Sequence, residues 1–246
     1  MTLQTITLFI LPLIGGLSAF FIKGHNKRFI ELILTFSGAY LFSLSLIHLL
    51  PELFLQANQS EYFNLGVFIL VGFFLQLFLD FFSQGVEHGH IHIQGGSKFL
   101  ISIFFGLSMH SIIEGLPLGI EAEHALHCNH GHSHSSESLF YGIIIHKIPA
   151  AFILGILLSK LKLKRNVITG LIVLFALMTP IGILIGHILE GAQFGWLHYI
   201  MAIVIGSFFH ISTTILFESS TKVHKFGLYK IACMALGCLL ALLTLH

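Results

Sequence analysis

The sequence has 246 residues, of which 55% are hydrophobic and only 9% are charged, and its formal net charge is +1. Soluble domains carry about 25% charged residues, so this composition excludes an ordinary soluble enzyme and a disordered chain. A net charge this close to zero also lacks the basic surface of a nucleic-acid binder, and no nucleic-acid partner is expected. The sequence therefore predicts an integral membrane protein surrounded by the lipid bilayer.

Eight apolar segments are long enough to approach or exceed the roughly 20 residues that a membrane-spanning helix needs. They predict an all-α membrane protein, a single polytopic domain of eight transmembrane helices that occupies residues 1–246. We number the segments 1 to 8 in chain order, and they cover about 3–22, 30–50, 64–83, 98–122, 138–159, 166–188, 196–218 and 228–245.

The basic residues lie in alternate connections between these segments. Eleven of the twelve Lys and Arg residues fall in or beside the connections that follow segments 1, 3, 5 and 7, and the twelfth is Lys147 in segment 5. By the positive-inside rule these connections are cytoplasmic, so both termini are expected to be extracytoplasmic. We expect a multi-pass protein of the plasma (inner) membrane.

Histidine is more abundant than Lys and Arg combined, with 17 residues. Many of them fall in two connections, residues 87–97 on the predicted cytoplasmic side and residues 121–138 on the predicted outer side. Such tracts either hold divalent metal ions loosely or form solvated polar loops, and both interpretations remain open. The three cysteines are too few for a disulfide framework.

Segments 2, 3 and 7 each carry polar residues that have two interpretations. Segment 2 ends in HLLPE, where His48 and Glu52 are four residues apart and form either an entrance pair of metal ligands or an interfacial helix end. Asp80 in segment 3 and His210 in segment 7 either line an ion pathway or bond a neighbouring helix.

Segments 4 and 5 place ionisable side chains near the middle of the bilayer. His110 and Glu114 are four residues apart and share one helix face, while His146 and Lys147 occupy the same depth in segment 5. Pro149 removes a backbone hydrogen bond and frees a carbonyl near Ile145, and Pro117 acts likewise in segment 4. Two neighbouring Pro-interrupted helices with polar groups at one depth indicate a transporter binding site.

Two imidazoles and a carboxylate at this depth predict a site for Zn²⁺. Histidine and glutamate accept most first-row divalent ions, so Fe²⁺ and Mn²⁺ are further candidate substrates, and no organic cofactor is expected. Lys147 is interpreted either as a partner of Glu114 or as an ammonium that stands where a second cation would sit. The alternative is a buried polar cluster that holds two helices together.

These motifs resemble the ZIP (Zrt/Irt-like protein) family of divalent metal transporters, of the bacterial type. HLLPE at 48–52, HSIIEG at 110–115, HKIPAAFILG at 146–155 and FALMTPIGILIG at 175–186 are similar to that family's second, fourth, fifth and sixth helices. The resemblance implies a metal site between segments 4 and 5, with entry from outside and release to the cytoplasm. It also implies an elevator-like movement of segments 1, 4, 5 and 6 against the rest.

The resemblance assigns the ligand positions of segments 4 and 5 to four residues of this chain: His110, Ser111, Glu114 and His146. His48, Glu52 and His210 would be secondary stations, and Asp80 joins them as a weaker candidate. Many family members have a carboxylate or amide where Lys147 stands, and a carboxylate or histidine where Ala150 stands. We therefore expect one metal ion instead of two, with the ammonium of Lys147 substituting for the second.

The sequence thus predicts a permease, not an enzyme, that moves divalent metal ions into the cytoplasm, and a homodimer is the assembly considered. One rival is an intramembrane zinc hydrolase, but the H-E-x-x-H pairing is absent because position 111 is Ser and position 114 is Glu. The other rival is a metal exporter of another family or a metal-responsive sensor.

Overall fold

The computed structural model describes residues 2–21, 27–83, 85–86, 97–127, 134–161, 163–191, 196–218 and 227–244. All regular secondary structure within these ranges is helical. The helices in chain order are α1 (Thr2–Ser18), α2 (Lys27–Leu44), a π-helical turn (Ser45–Leu49), α3 (Leu50–Gln56), a 3₁₀ turn (Gln59–Glu61), α4 (Tyr62–Ser83), α5 (Ser97–His127), α6 (His134–Lys160), α7 (Arg165–Gly191), α8 (Leu197–Glu218) and α9 (Leu228–Leu243).

The helices confirm the predicted all-α class and follow the eight predicted segments in order. Six helical runs of the described chain are long and apolar enough to cross a membrane, and α1 and α9 are shorter apolar helices. Segments 4 and 5, which carry the main site candidates, correspond to α5 and α6. The side of the membrane on which each terminus lies stays a prediction.

Segment 2 is longer than the sequence indicated. The expected end was residue 50, just before Pro51, but the π-helical turn Ser45–Leu49 leads into α3, which continues to Gln56. Pro51 lies in the first turn of α3, where a residue without an N–H is tolerated because that group has no partner within the helix. The helix thus continues past Pro51, directly after a change from α-helical to π-helical geometry.

The predicted outer histidine-rich connection, residues 121–138, is shorter than expected at both ends. Helix α5 extends to His127 and α6 begins at His134, so both ends of the predicted 121–138 connection have helical backbone. Residues 87–96 and 128–133 lie outside the described residues, as do the side chains of 121–136.

The helices form two bundles. The most extensive contacts join α5 to α7 and α1 to α6, and likewise α4 to α8 and α2 to α9. We call α1, α5, α6 and α7 bundle A, and α2, α3, α4, α8 and α9 bundle B. The bundles meet along α4 with α5, α2 with α6, and α5 with α8.

Interleaved glycines bring the backbones of α5 and α7 into direct contact. A Cβ added to Gly182 or Gly186 of α7 would meet the carbonyl oxygen of Ile112 or Leu116 on α5, and Gly115 of α5 is equally close to the backbone of α7. Side chains of this size let membrane helices approach closely enough for van der Waals packing to hold them. This close contact places α7 directly behind the polar face of α5.

We expect Gly182→Ala to destabilise the protein by about 1–3 kcal/mol, because the added methyl group overpacks the contact with Ile112 and forces the helices apart. The measurement is thermal unfolding of the purified protein in detergent. Gly170→Ala is the matched control on the same helix, since a Cβ there meets no described atom within 4 Å. Equal melting temperatures for the two variants would contradict this account of the α5–α7 contact.

Candidate metal site

The four ionisable residues predicted for segments 4 and 5 are all buried where α5 faces α6. The exposed fractions are 4% for His110, 1% for Glu114, 7% for His146 and 1% for Lys147. Both helices run through their prolines without interruption. The i and i+4 spacing on α5 thus puts His110 and Glu114 on one face, opposite His146.

Glu114 is at the centre of this cluster. Its Oε1 contacts Nε2 of His110 on the same helix and lies 2.6 Å from Nε2 of His146. Ligand atoms from the three residues all lie within 4.8 Å of one another, a separation that suits a shared metal ion. The structure thus brings together the three residues that the sequence proposed as principal ligands.

The hydrogen bond of His146 to its own helix decides which ring nitrogen faces the cluster. Nδ1 lies 2.7 Å from the carbonyl oxygen of Gly142, which can only accept, so Nδ1 carries the proton. In a neutral imidazole Nε2 then carries a lone pair, and this lone pair points at a carboxylate oxygen of Glu114. Two acceptors this close in a buried site need a shared cation, either a proton in the hydrogen bond or a metal ion that both atoms ligate.

Lys147 is held from three sides. Its Nζ donates a hydrogen bond to Oγ1 of Thr179, lies 3.7 Å from Oε2 of Glu114 and lies 5.1 Å from the ring centroid of Phe175. Thr179 in turn donates to the carbonyl oxygen of Ser111, at 3.2 Å. The ammonium is therefore fixed beside the carboxylate by residues of α7.

Sequence reasoning did not identify Thr179 and Phe175 as part of the site. Both lie in the segment 175–186 that carries the sixth-helix resemblance, and that was the available signal. Neither residue is ionisable, so neither stood out in an apolar helix. Ser111 is buried and lines the same cavity as the ionisable residues, as does Ala150.

The carbonyl that Pro149 frees has a partner from bundle B. Oγ of Ser37 on α2 donates to the carbonyl oxygen of Ile145 at 3.3 Å. A buried carbonyl without a hydrogen bond is costly in a membrane, and this contact satisfies it. Ser37 also lines the cavity of the cluster, so α2 closes one side of it.

His48 and Glu52 lie apart from this cluster. Nε2 of His48 is 2.9 Å from the carbonyl oxygen of Ala241 on α9, and Glu52 accepts a hydrogen bond from Gln56 at 3.0 Å. His48 thus connects the π-helical turn to α9. A role of the pair at the entrance stays a prediction.

Asp80 and His210 come together between α4 and α8. Oδ2 of Asp80 is 3.8 Å from Nε2 of His210, and the Phe73 ring packs edge-on against the imidazole. Oγ of Ser83 also donates to Asp80, at 3.1 Å. The two residues bond neighbouring helices of bundle B, and their place on an ion pathway stays a prediction.

The fold and the cluster define a class of protein, a polytopic helical membrane protein with buried metal-ligand side chains. The family model described as ZIP Zinc transporter matches residues 84–244, about two thirds of the chain, including all of the cluster. The chain therefore belongs to the ZIP family, which confirms the resemblance of its motifs.

Similar curated proteins carry the same family name. Zinc transporter ZIP3 of Homo sapiens is 34% identical over 113 residues, which cover 43% of this chain and 33% of that protein. Zinc transporter ZIP1 of Takifugu rubripes is 31% identical over 121 residues, covering 49% of this chain and 37% of its own length. Zinc transporter ZIP1 of Bos taurus is 25% identical over 268 aligned positions, covering 90% of this chain and 79% of that protein. The matched part thus spans about a third of the ZIP3 protein and most of bovine ZIP1.

We expect Thr179→Val to destabilise the protein by about 1–3 kcal/mol, because it removes the hydroxyl that accepts from the buried ammonium of Lys147. Thr179→Ser, which keeps the hydroxyl, should stay close to the original stability. Unfolding of the purified protein in detergent measures both.

A double-mutant cycle tests whether that loss acts through Lys147. In a Lys147→Met background the donor is gone, so Thr179→Val should cost less than it does in the original chain. An unchanged cost in that background would assign the effect of Thr179 to packing and would refute its role as a partner of the ammonium.

Proposed function

We propose that this chain is a divalent metal-ion transporter that carries Zn²⁺ through the membrane by way of the His110–Glu114–His146 cluster. The observation that supports this most directly is that three ligand atoms lie within 4.8 Å of one another in buried positions of membrane-spanning helices. Membership of the ZIP family supports transport over catalysis, and the relatives named above are called zinc transporters.

The ligand set suits an ion that binds and then leaves. Two imidazole nitrogens and one carboxylate oxygen are ligands that Zn²⁺ favours, and three protein ligands leave part of its coordination shell open. Water or Ser111 would complete that shell. Because the same ligands accept Fe²⁺ and Mn²⁺, these ions are secondary substrates in this proposal.

Lys147 limits the cluster to one ion. Its ammonium is 3.7 Å from Glu114 and stands where a second cation would share that carboxylate. The side chain of Ala150 lines the cavity but offers no ligand atom. A second divalent ion would therefore meet a fixed positive charge and too few ligands.

The direction of transport and the location are proposed on separate grounds. The positions of the basic residues favour a plasma (inner) membrane protein whose termini are both extracytoplasmic. The family resemblance favours movement into the cytoplasm. His48 and Glu52 are proposed as stations on the entry side, and Asp80 and His210 as stations further along the path.

We expect Glu114→Ala, His110→Ala and His146→Ala each to reduce zinc flux to that of protein-free vesicles, because each removes one of three ligands. The measurement is radiolabelled zinc uptake into proteoliposomes. Glu137→Ala is the matched control, since Glu137 is an exposed carboxylate in the first turn of α6. Gel filtration checks that every variant remains folded.

Uptake by Glu114→Ala at the original rate would show that the cluster is the wrong site. Zinc that binds at the cluster without any flux through the original protein would refute transport and favour a sensor or a hydrolase. Uptake in one direction only, tested in vesicles of defined orientation, would decide between import and export.

A second prediction concerns the number of ions. Replacing the ammonium and adding a carboxylate, as in Lys147→Asp with Ala150→Glu, should raise bound zinc by about one ion per chain, because the added charges complete a second ligand set. Equilibrium dialysis followed by elemental analysis measures the difference from the original protein. Lys147→Met, which adds no ligand, is the control, and a folded double variant without extra zinc would contradict the one-ion interpretation.

A further inference from the structure

The second imidazole of the cluster is anchored differently from the first. His146 is bonded through Nδ1 to Gly142 of its own helix, whereas Nδ1 of His110 lies 3.4 Å from Oγ of Ser207 on α8. His110 belongs to bundle A and Ser207 to bundle B. One metal ligand is therefore oriented within its own helix and the other across the boundary between the bundles.

A third residue determines the direction of the Ser207 contact. Oγ of Ser207 donates to Oε1 of Gln76 on α4 at 3.0 Å. A hydroxyl has one hydrogen, so the Ser207 oxygen that meets His110 acts as an acceptor and Nδ1 of His110 carries the proton. Nε2 of His110 is then the lone-pair nitrogen, and it is the atom that faces Glu114.

Gln76 and Ser207 are both uncharged polar residues in buried positions. Gln76 is 1% exposed and Ser207 is 4% exposed, each in an otherwise apolar helix of bundle B. A buried polar side chain in a membrane helix gains stability from a bonded partner, because an unbonded polar group is costly there. Here the chain of bonds ends on a metal-ligand candidate.

We propose that Ser207 and Gln76 are positioning residues for His110, which hold its ring in the tautomer and orientation that direct Nε2 into the metal site. This role rests on the proposed function of the cluster. Partners that accept from the second nitrogen of a metal-bound histidine typically account for about 10–100-fold in metal affinity.

The contact between His110 and Ser207 depends on how the two bundles are placed relative to each other. A shift of α5 away from α8 by about 1 Å would lengthen the His110–Ser207 contact beyond hydrogen-bond distance, while the His146–Gly142 bond would be unaffected. The orientation of one ligand is thus linked to the relative position of the bundles.

The test compares zinc affinity with maximal transport rate in purified protein. We expect Ser207→Ala and Gln76→Leu each to lower the zinc affinity of the site that contains His110 by about tenfold or more. The maximal uptake rate in proteoliposomes should change by no more than about twofold. Ser207→Thr, which keeps the hydroxyl, should restore the affinity to within about twofold.

Ser108→Ala is the matched control. Ser108 is a buried serine of α5 whose hydroxyl has no hydrogen-bond partner among the described residues, so its removal should leave zinc affinity unchanged. In a His110→Ala background, Ser207→Ala should have no further effect on zinc binding, since its effect acts through that ring.

Two results would overturn the positioning role: unchanged zinc affinity in Ser207→Ala, or an equal loss of affinity whether or not His110 is present. Binding is measured at equilibrium in detergent and does not depend on flux. An original protein that binds zinc but shows no flux would refute the proposed transport, while the affinities of the variants would still decide the role of Ser207 and Gln76.

Discussion

A carboxylate buried among membrane-spanning helices is the constraint on which the rest of this structure depends. Glu114 is 1% exposed, and an ionised carboxylate at the bilayer centre costs about 2.5–3.5 kcal/mol even by insertion measurements. Both imidazoles and the ammonium of Lys147 are arranged around it. The carboxylate therefore organises the surfaces along which α5 and α6 face each other.

The cation that balances Glu114 needs support of its own. Lys147 is also 1% exposed, and the hydroxyl of Thr179 and the ring of Phe175 take the place of its hydration shell. Both residues come from α7. This helix lies close to the site because its glycines allow its backbone to contact the backbone of α5 directly. The close packing of α5 and α7 is thus also what allows the charge of Lys147 to be stabilised beside Glu114.

The ionisable part of the site could be predicted from the sequence because charge is rare in these helices. His110 and Glu114 are four positions apart in the chain, and the midpoints of the predicted spans place them at the depth of His146 and Lys147. Thr179, Ser207 and Gln76 could not be predicted, since uncharged polar residues in an apolar helix have no spacing that identifies a partner on another helix. The freed carbonyl of Ile145 was foreseen from Pro149, but its donor Ser37 depends on how the bundles meet.

The number of helices could also be predicted from the sequence, but the positions of the helix ends could not. A continuous apolar run predicts a span by its length, whereas its end depends on local backbone geometry. Segment 2 was expected to end near residue 50, yet the helix passes through a π-helical turn and Pro51 and continues to Gln56. The histidines near 127 and 134 favoured a loop by composition, yet the backbone there is helical.

The different anchors of the two imidazoles bear on how such a site would release its cargo. A carrier must bind an ion in one arrangement and lose affinity in another, because a ligand that binds both states equally shifts neither. Glu114 and the His146–Gly142 bond both belong to bundle A, so a displacement of one bundle against the other would leave their relative positions unchanged. The contact between His110 and Ser207 crosses to bundle B, so it is the part of the ligand geometry that a relative movement of the bundles changes first. The hydrogen bond that positions this one ligand therefore links the geometry of the ligand set to the position of bundle B.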